Sequence, residues 1–242
     1  MEEREKLIQL FQGLRVTDVC DGLDTLVRQD IGLMSNDIRP LWRDTENFSH
    51  RIYGFAYTVR FVPTNKPIPK LTPDEFYEWM AKWYKELASG PFVSEIRKFD
   101  VIVIDGAECG TVGYIGSNNS QAWINAGAVG VVTNGGCRDT DELIKQRIPV
   151  YSRYISKTIR PGRLELDKVN VPINCGGALV RPGDIIVADG DGVVVVPIEI
   201  AEEVARQAWR HAKRDRVARK RLLEEAGKEI DFTVDINSLP NL

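Results

Sequence analysis

Residues 101–139 read VIVIDGAECGTVGYIGSNNSQAWINAGAVGVVTNGGCRD, and this stretch decides the fold. Val101 to Ile104 is an all-apolar run suited to a strand buried on both faces, and Asp105-Gly106 ends it in a loop. After Gly116-Ser117 the spacing predicts a helix from Asn118 to Ala126, closed by Gly127. A second buried strand follows from Val129 to Val132 and opens into Asn134-Gly135-Gly136-Cys137-Arg138-Asp139. Strand, helix and strand within about 35 residues make a βαβ unit, which is right-handed as a rule.

Upstream, Leu7, Leu10, Phe11 and Leu14 recur at helical spacing, and Thr17 and Asp18 offer N-cap oxygens to a short helix running to Leu26. Residues 30–50 read as loop with one short strand. The β-branched and aromatic residues of Gly54–Val62 predict a strand that the prolines from Pro63 onward must end. Phe76, Trp79, Met80, Trp83, Tyr84 and Leu87 then form the stripe of an amphipathic helix over 73–88, suited to core or subunit contact. Downstream, Ile148–Tyr151 reads as a strand. Residues 171–197 read as an antiparallel set, with strands at Ile185–Ala188 and Val193–Val196 and turns at Pro182-Gly183-Asp184 and Gly190-Asp191-Gly192. From Ile198 to about Ala226 the chain is helical and strongly charged, a solvated face or a partner face. The expectation is one α/β domain spanning 1–242, with a mixed sheet and helical N- and C-terminal ends.

A chain of 242 residues with 43% hydrophobic and 28% charged content can bury a sizeable core. Its net charge of -3 provides no basic field for nucleic acid, so an anionic substrate needs a local positive site. The charged start, Glu2-Glu3-Arg4-Glu5-Lys6, lacks a signal peptide's apolar region, and no apolar run reaches the roughly 20 residues of a membrane span. A cytoplasmic protein without a membrane partner is expected. Cys20, Cys109, Cys137 and Cys175 lack zinc-site spacing and read as reduced thiols.

Ligands of open α/β sheets bind beyond the carboxyl ends of strands, so the loops after Asp105 and Thr133 are expected to meet in one pocket. The helix, with Ser117 as its expected cap, directs the backbone N–H groups of Asn118, Asn119 and Ser120 there, an anion site for a carboxylate or phosphate. Arg138 presents a planar fork of donors to a carboxylate or enolate oxygen, and Asp139 is a hard ligand suited to Mg²⁺ or Mn²⁺. A plain salt bridge is the alternative reading of the pair.

Taken together, Gly116-Ser117, twenty intervening residues, Arg138-Asp139 and then Asp141-Glu142 resemble the signature of the RraA-like aldolase family. Gly54-Phe55-Ala56-Tyr57-Thr58-Val59-Arg60 is similar to its early strand and Thr17-Asp18-Val19-Cys20-Asp21 to its N-terminal helix start. Arg181-Pro182-Gly183-Asp184 through Asp191-Gly192-Val193-Val194-Val195-Val196-Pro197 is similar to its late hairpin. The likeness runs over roughly residues 15–230 and leaves 66–95 as a helical insertion.

The resemblance implies a swivelling phosphohistidine-domain-like α/β/β fold, assembled as a homotrimer or homohexamer with sites at subunit boundaries. It implies that Asp139 binds the divalent metal, that Arg138 polarises the keto oxygen, and that the amides of Ser117, Asn118 and Asn119 beside Gly116 hold the substrate carboxylate. The implied reaction cleaves a 4-hydroxy-2-oxo acid to pyruvate and a second carbonyl compound, with oxaloacetate decarboxylation as the related activity. Where the family carries an acidic residue before the helix, this chain has Ser117. Glu108, or a neighbouring subunit's carboxylate such as that at position 215 or 224, can take over the role of general base. The alternative is a binding regulator of a ribonuclease or other protein, using the basic helix of residues 206–221. A methyltransferase is excluded, because no glycine-rich loop precedes an acidic ribose ligand.

Overall fold

The computed structural model describes residues 2–88 and 91–236. Its centre is a nine-stranded mixed sheet. The strands in chain order are β1 (Arg39–Pro40), β2 (Ile52–Pro63), β3 (Asp100–Asp105), β4 (Gly113–Ile115), β5 (Ala128–Cys137), β6 (Val150–Ile155), β7 (Leu164–Val169), β8 (Ile173–Cys175), β9 (Ala178–Val180), β10 (Ile185–Asp189) and β11 (Gly192–Val196). The path β1-β6-β5-β3-β2-β10-β11 carries β4 against β5 and β7 against β2, and β8-β9 is a separate hairpin. The pairs β2·β3, β3·β5 and β5·β6 are parallel, whereas β10 runs antiparallel to both β2 and β11.

Alternation along the strands builds the layers. On β2 and β3, Tyr57, Val59, Phe61, Ile102 and Ile104 face one cluster, and Ala56, Val101 and Val103 face another. The first cluster is covered by α3 (Pro73–Glu86), α4 (Ser117–Ala126) and α5 (Thr140–Lys145), which supply Trp83, Trp123 and Leu143. The second lies beneath the β8-β9 hairpin. Because both faces of β3 are covered, it has no polar face, as its apolar run requires. A third cluster packs α1 (Glu2–Phe11), α2 (Val16–Thr25) and α6 (Ala201–Glu225) on the other face of β10 and β11. The α/β/β arrangement expected from the resemblance is present.

Several local expectations change. The second helix is capped by Arg15, not by Thr17 or Asp18. Asp18 sits three residues in, and its carboxylate accepts from the Arg15 backbone N–H at 2.8 Å and from the guanidinium. The second strand of the βαβ unit continues through Asn134-Gly135-Gly136 to Cys137, where a loop was expected, because β4 and β6 pair with it there. Within the segment expected as a helical insertion, Thr72 caps α3 in a capping box with Glu75 and a 3₁₀ turn spans Pro91–Glu95. Residues 89–90 of that segment lie outside the described residues. No helix among the described residues is long and apolar enough to cross a membrane.

Candidate active site

The site lies at the carboxyl end of β5, where the chain turns into α5. Asp139 makes the turn in the left-handed region at φ 58°, a conformation a short polar side chain tolerates better than most. Its backbone carbonyl accepts from Leu143 N–H at 3.0 Å, and Arg138 N–H donates to the carbonyl of Ile115 at 2.9 Å. β4, β5 and the start of α5 are thereby locked together.

The Asp139 carboxylate faces the beginning of α4. Its Oδ2 accepts from the Ser117 backbone N–H at 3.0 Å and lies 3.4 Å from the Ser117 hydroxyl, and Oδ1 accepts from Arg138 Nε at 3.0 Å. Burial opposes its charge, but the Arg138 hydrogen bond and the Ser117 amide outweigh that, so its pKa lies below the ordinary carboxylate value. Both side chains are about one-third exposed, Arg138 at 35% and Asp139 at 30%, and a pair so screened adds little stability. Gly116, not Ser117, caps the helix, and a Cβ at Gly116 would stand 2.6 Å from Asp139 Oδ2. A Cβ at Gly113 would stand 2.8 Å from the Arg138 side chain. Both glycines are therefore space for this ion pair.

A cavity of about 660 Å³ opens over the pair. Gly113, Tyr114, Gly116, Asn118, Asn119, Arg138 and Asp139 line one side, so the structure brings together most of the residues expected from sequence. Ser117 is engaged with Asp139 and is not in the lining, which leaves the first-turn amides of Asn118 and Asn119 as the donors without an acceptor in their own helix. Glu108 is not in the lining either. Its carboxylate pairs with Arg153 at 3.1 Å and is 60% exposed, and its own residue sits at φ 55°. Asp215 pairs with Arg15 of the same chain at 2.8 Å.

The far side was not anticipated as part of the site. Met80, Ala81, Tyr84, Lys85 and Ala88 from α3 and the turn after it line that side, together with Ile159 and Arg160. No local signal marked them, since the aromatic stripe announces burial and not what lies beside it. Asn134 was also missed. Its side chain accepts from Gly106 N–H at 2.7 Å and donates to Asp105 at 3.2 Å, tying the ends of β3 and β5. An asparagine in an apolar strand was the available signal.

The donor set suits a hard cation. Asp139 offers carboxylate oxygens, with a hydroxyl beside it, and no cluster of three His, Cys, Asp or Glu surrounds it among the described residues. Mg²⁺ and Mn²⁺ fit such a site, since these ions take one or two carboxylates and keep several waters.

The α/β fold thus places an aspartate, an arginine and a helix N-terminus around one cavity. The chain belongs to the RraA-like family, described as Aldolase/RraA, whose model matches residues 16–195. A protein of Halalkalibacterium halodurans named "Putative 4-hydroxy-4-methyl-2-oxoglutarate aldolase" is 34% identical over 220 residues, 90% of this chain and 89% of the relative. An uncharacterized protein of Methanocaldococcus jannaschii is 37% identical over 98 residues, 40% of this chain and under half, 46%, of that relative. Among solved structures, Streptomyces coelicolor RraAS2, an unusual member of the RNase ES inhibitor RraA family, superposes with a TM-score of 0.72 at 23% identity. That match covers 89% of this chain and 98% of the other, a likeness of fold.

Proposed function

We propose that this protein is a divalent-metal-dependent lyase that cleaves a 4-hydroxy-2-oxo acid into pyruvate and a second carbonyl compound, with oxaloacetate decarboxylation as a related activity. The observation carrying this reading is the fixed pair Arg138-Asp139 at the mouth of α4, held by the Ser117 amide and given room by Gly113 and Gly116. The kinship with relatives named as aldolases supports it.

In this reading the substrate carboxylate lies against the Asn118 and Asn119 amides, where the helix dipole favours negative charge. Arg138 donates to the 2-oxo oxygen. The C3–C4 bond breaks, its electron pair moves into the C2–C3 bond, and the carbonyl electrons move onto the oxygen as the pyruvate enolate. The C4 hydroxyl loses its proton and becomes the second product's carbonyl, and protonation at C3 gives pyruvate. Arg138 is in place before the charge develops, so its stabilisation requires no reorganisation. Asp139 would hold a divalent ion, which would supply Lewis-acid stabilisation of the developing negative charge. Asp139, the lining carboxylate, would hold the metal in this reading, and its lowered pKa makes it a weak base. The base that takes the hydroxyl proton is therefore Glu108, reached by loop movement, or a carboxylate from a neighbouring subunit of a trimer or hexamer.

A lactate dehydrogenase-coupled assay across a panel of 4-hydroxy-2-oxo acids, with and without Mg²⁺ or Mn²⁺, tests the reading. Metal-dependent pyruvate release supports it, and silence across the panel and with oxaloacetate rejects it. A second reading, a regulator that binds another protein, is favoured by the exposed basic positions along α6, such as Arg210 and Lys213, and by the S. coelicolor relative. It predicts no turnover and a partner lost on reversing those charges.

A further inference from the structure

Arg160 is a buried cation of this cavity that the aldol chemistry leaves unused. It is 6% exposed, and its guanidinium carbon lies 5.4 Å from the ring centre of Phe61 and 5.2 Å from that of Tyr84. No carboxylate lies within ion-pair distance of it among the described residues, whereas Arg15, Arg60, Arg147 and Arg153 each have one. Burial pulls its pKa below the ordinary value, against the opposing effect of Tyr84. A buried guanidinium without a counter-ion is costly, and ring faces offset only part of that cost. Asp139, the carboxylate of the cavity lining, is paired with Arg138 instead.

Helix α3 supplies the rest of that wall. Met80, Ala81, Tyr84 and Lys85 recur at the spacing of one helix face, and the helix is anchored beneath by Trp83, whose Nε1–H donates to the Leu164 carbonyl at 3.0 Å. The cavity thus carries Arg138, Arg160 and Lys85 against one carboxylate, in a chain whose net charge is -3. We propose that Arg160, with Tyr84 and Lys85 of α3, forms a second anion-binding pole that selects substrates by a second anionic group at the end distant from the 2-oxo acid. The pole belongs to the same chain as Asp139. A carboxylate suits it, since a guanidinium fork takes both carboxylate oxygens.

This inference rests on the reading of the cavity as a 2-oxo acid site. It is tested by calorimetric dissociation constants for pyruvate, which has one carboxylate, and 2-oxoglutarate, which has two, in Mg²⁺ for the parent, Arg160→Met and Lys85→Met. The parent is expected to prefer the dianion at least tenfold, with that ratio falling about tenfold in Arg160→Met, the worth of one charge-assisted pair, and less in the more exposed Lys85→Met. A merely structural Arg160 would leave the ratio unmoved. If Arg160→Met does not fold, Lys85→Met and Tyr84→Phe decide, and an unchanged ratio in both overturns the proposal. Binding of both probes without preference in the parent sinks the second pole alone. Binding of neither sinks the 2-oxo acid reading and this inference with it.

Discussion

Replacing Gly116 by alanine isolates the position of the Asp139 carboxylate from its identity. The backbone at Gly116 has φ -141°, which any residue adopts, so the substitution introduces no backbone strain. Its Cβ would stand 2.6 Å from Oδ2, and ordinary contact begins at 3.4 Å, so the carboxylate must yield by about 0.8 Å. That shift stretches the 3.0 Å bond from the Ser117 N–H beyond useful length while leaving the charge in place. A hydrogen bond to a charged group contributes about 1.5–3 kcal/mol, and at 30% side-chain exposure we discount it to about 1 kcal/mol. The melting temperature should fall by roughly 2–4 °C for a domain of this size. Turnover should fall far more, about 10²-fold, because misplacing a reacting group by about 1 Å costs on that order. Coupled pyruvate release and calorimetric Mg²⁺ titration, run beside a melting curve, measure all three. A Gly116→Ala protein with parental turnover and Mg²⁺ affinity would show that the carboxylate's position does not matter, and the Asp139-centred mechanism would fail.

Asp139→Ala is expected to abolish metal-dependent turnover with a small change in melting temperature, and Arg138→Lys to lose at least 10²-fold in kcat because a point charge cannot replace the fork; steady-state kinetics on folded protein check both. Glu108→Gln tests the base: a loss of about 10² to 10⁴ in kcat identifies Glu108, and a change under twofold assigns the role to a neighbouring subunit. The Asp139 pKa is held below its ordinary value, so whatever stability its carboxylate contributes is present above the unfolded-state pKa and is lost only as pH falls through the lower folded value; Mg²⁺ binding measured between pH 5 and 7 should show no titration from this group. Burial raises the thiols of Cys137 and Cys175, the latter to about 12, so a thiol reagent near pH 7.5 should label neither until the protein is unfolded, and half-buried Cys109 should react first.

Sequence by itself determined the elements whose cause is local. The apolar run of β3 calls for burial on both faces, Gly127 closes α4 at φ 119°, and the spacing from Gly116 to Asp139 places a helix start beside a strand end. Partnerships between distant positions were decided only by tertiary structure. Glycines 135 and 136 read as loop, yet they stay in β5 because β4 and β6 pair with it there, and they are glycines because a Cβ would meet the Tyr114 ring at 2.5 Å or the Val112 carbonyl at 2.6 Å. Whether Ser117's amide faces solvent or Asp139, and whether Glu108 faces the cavity or Arg153, depends on loops that meet only after the sheet has formed. The aromatic stripe of α3 could announce that the helix buries one face, but not that its edge would line the Arg138-Asp139 cavity. That placement follows from Trp83 reaching Leu164, a contact spanning 81 residues, and no local pattern encodes it.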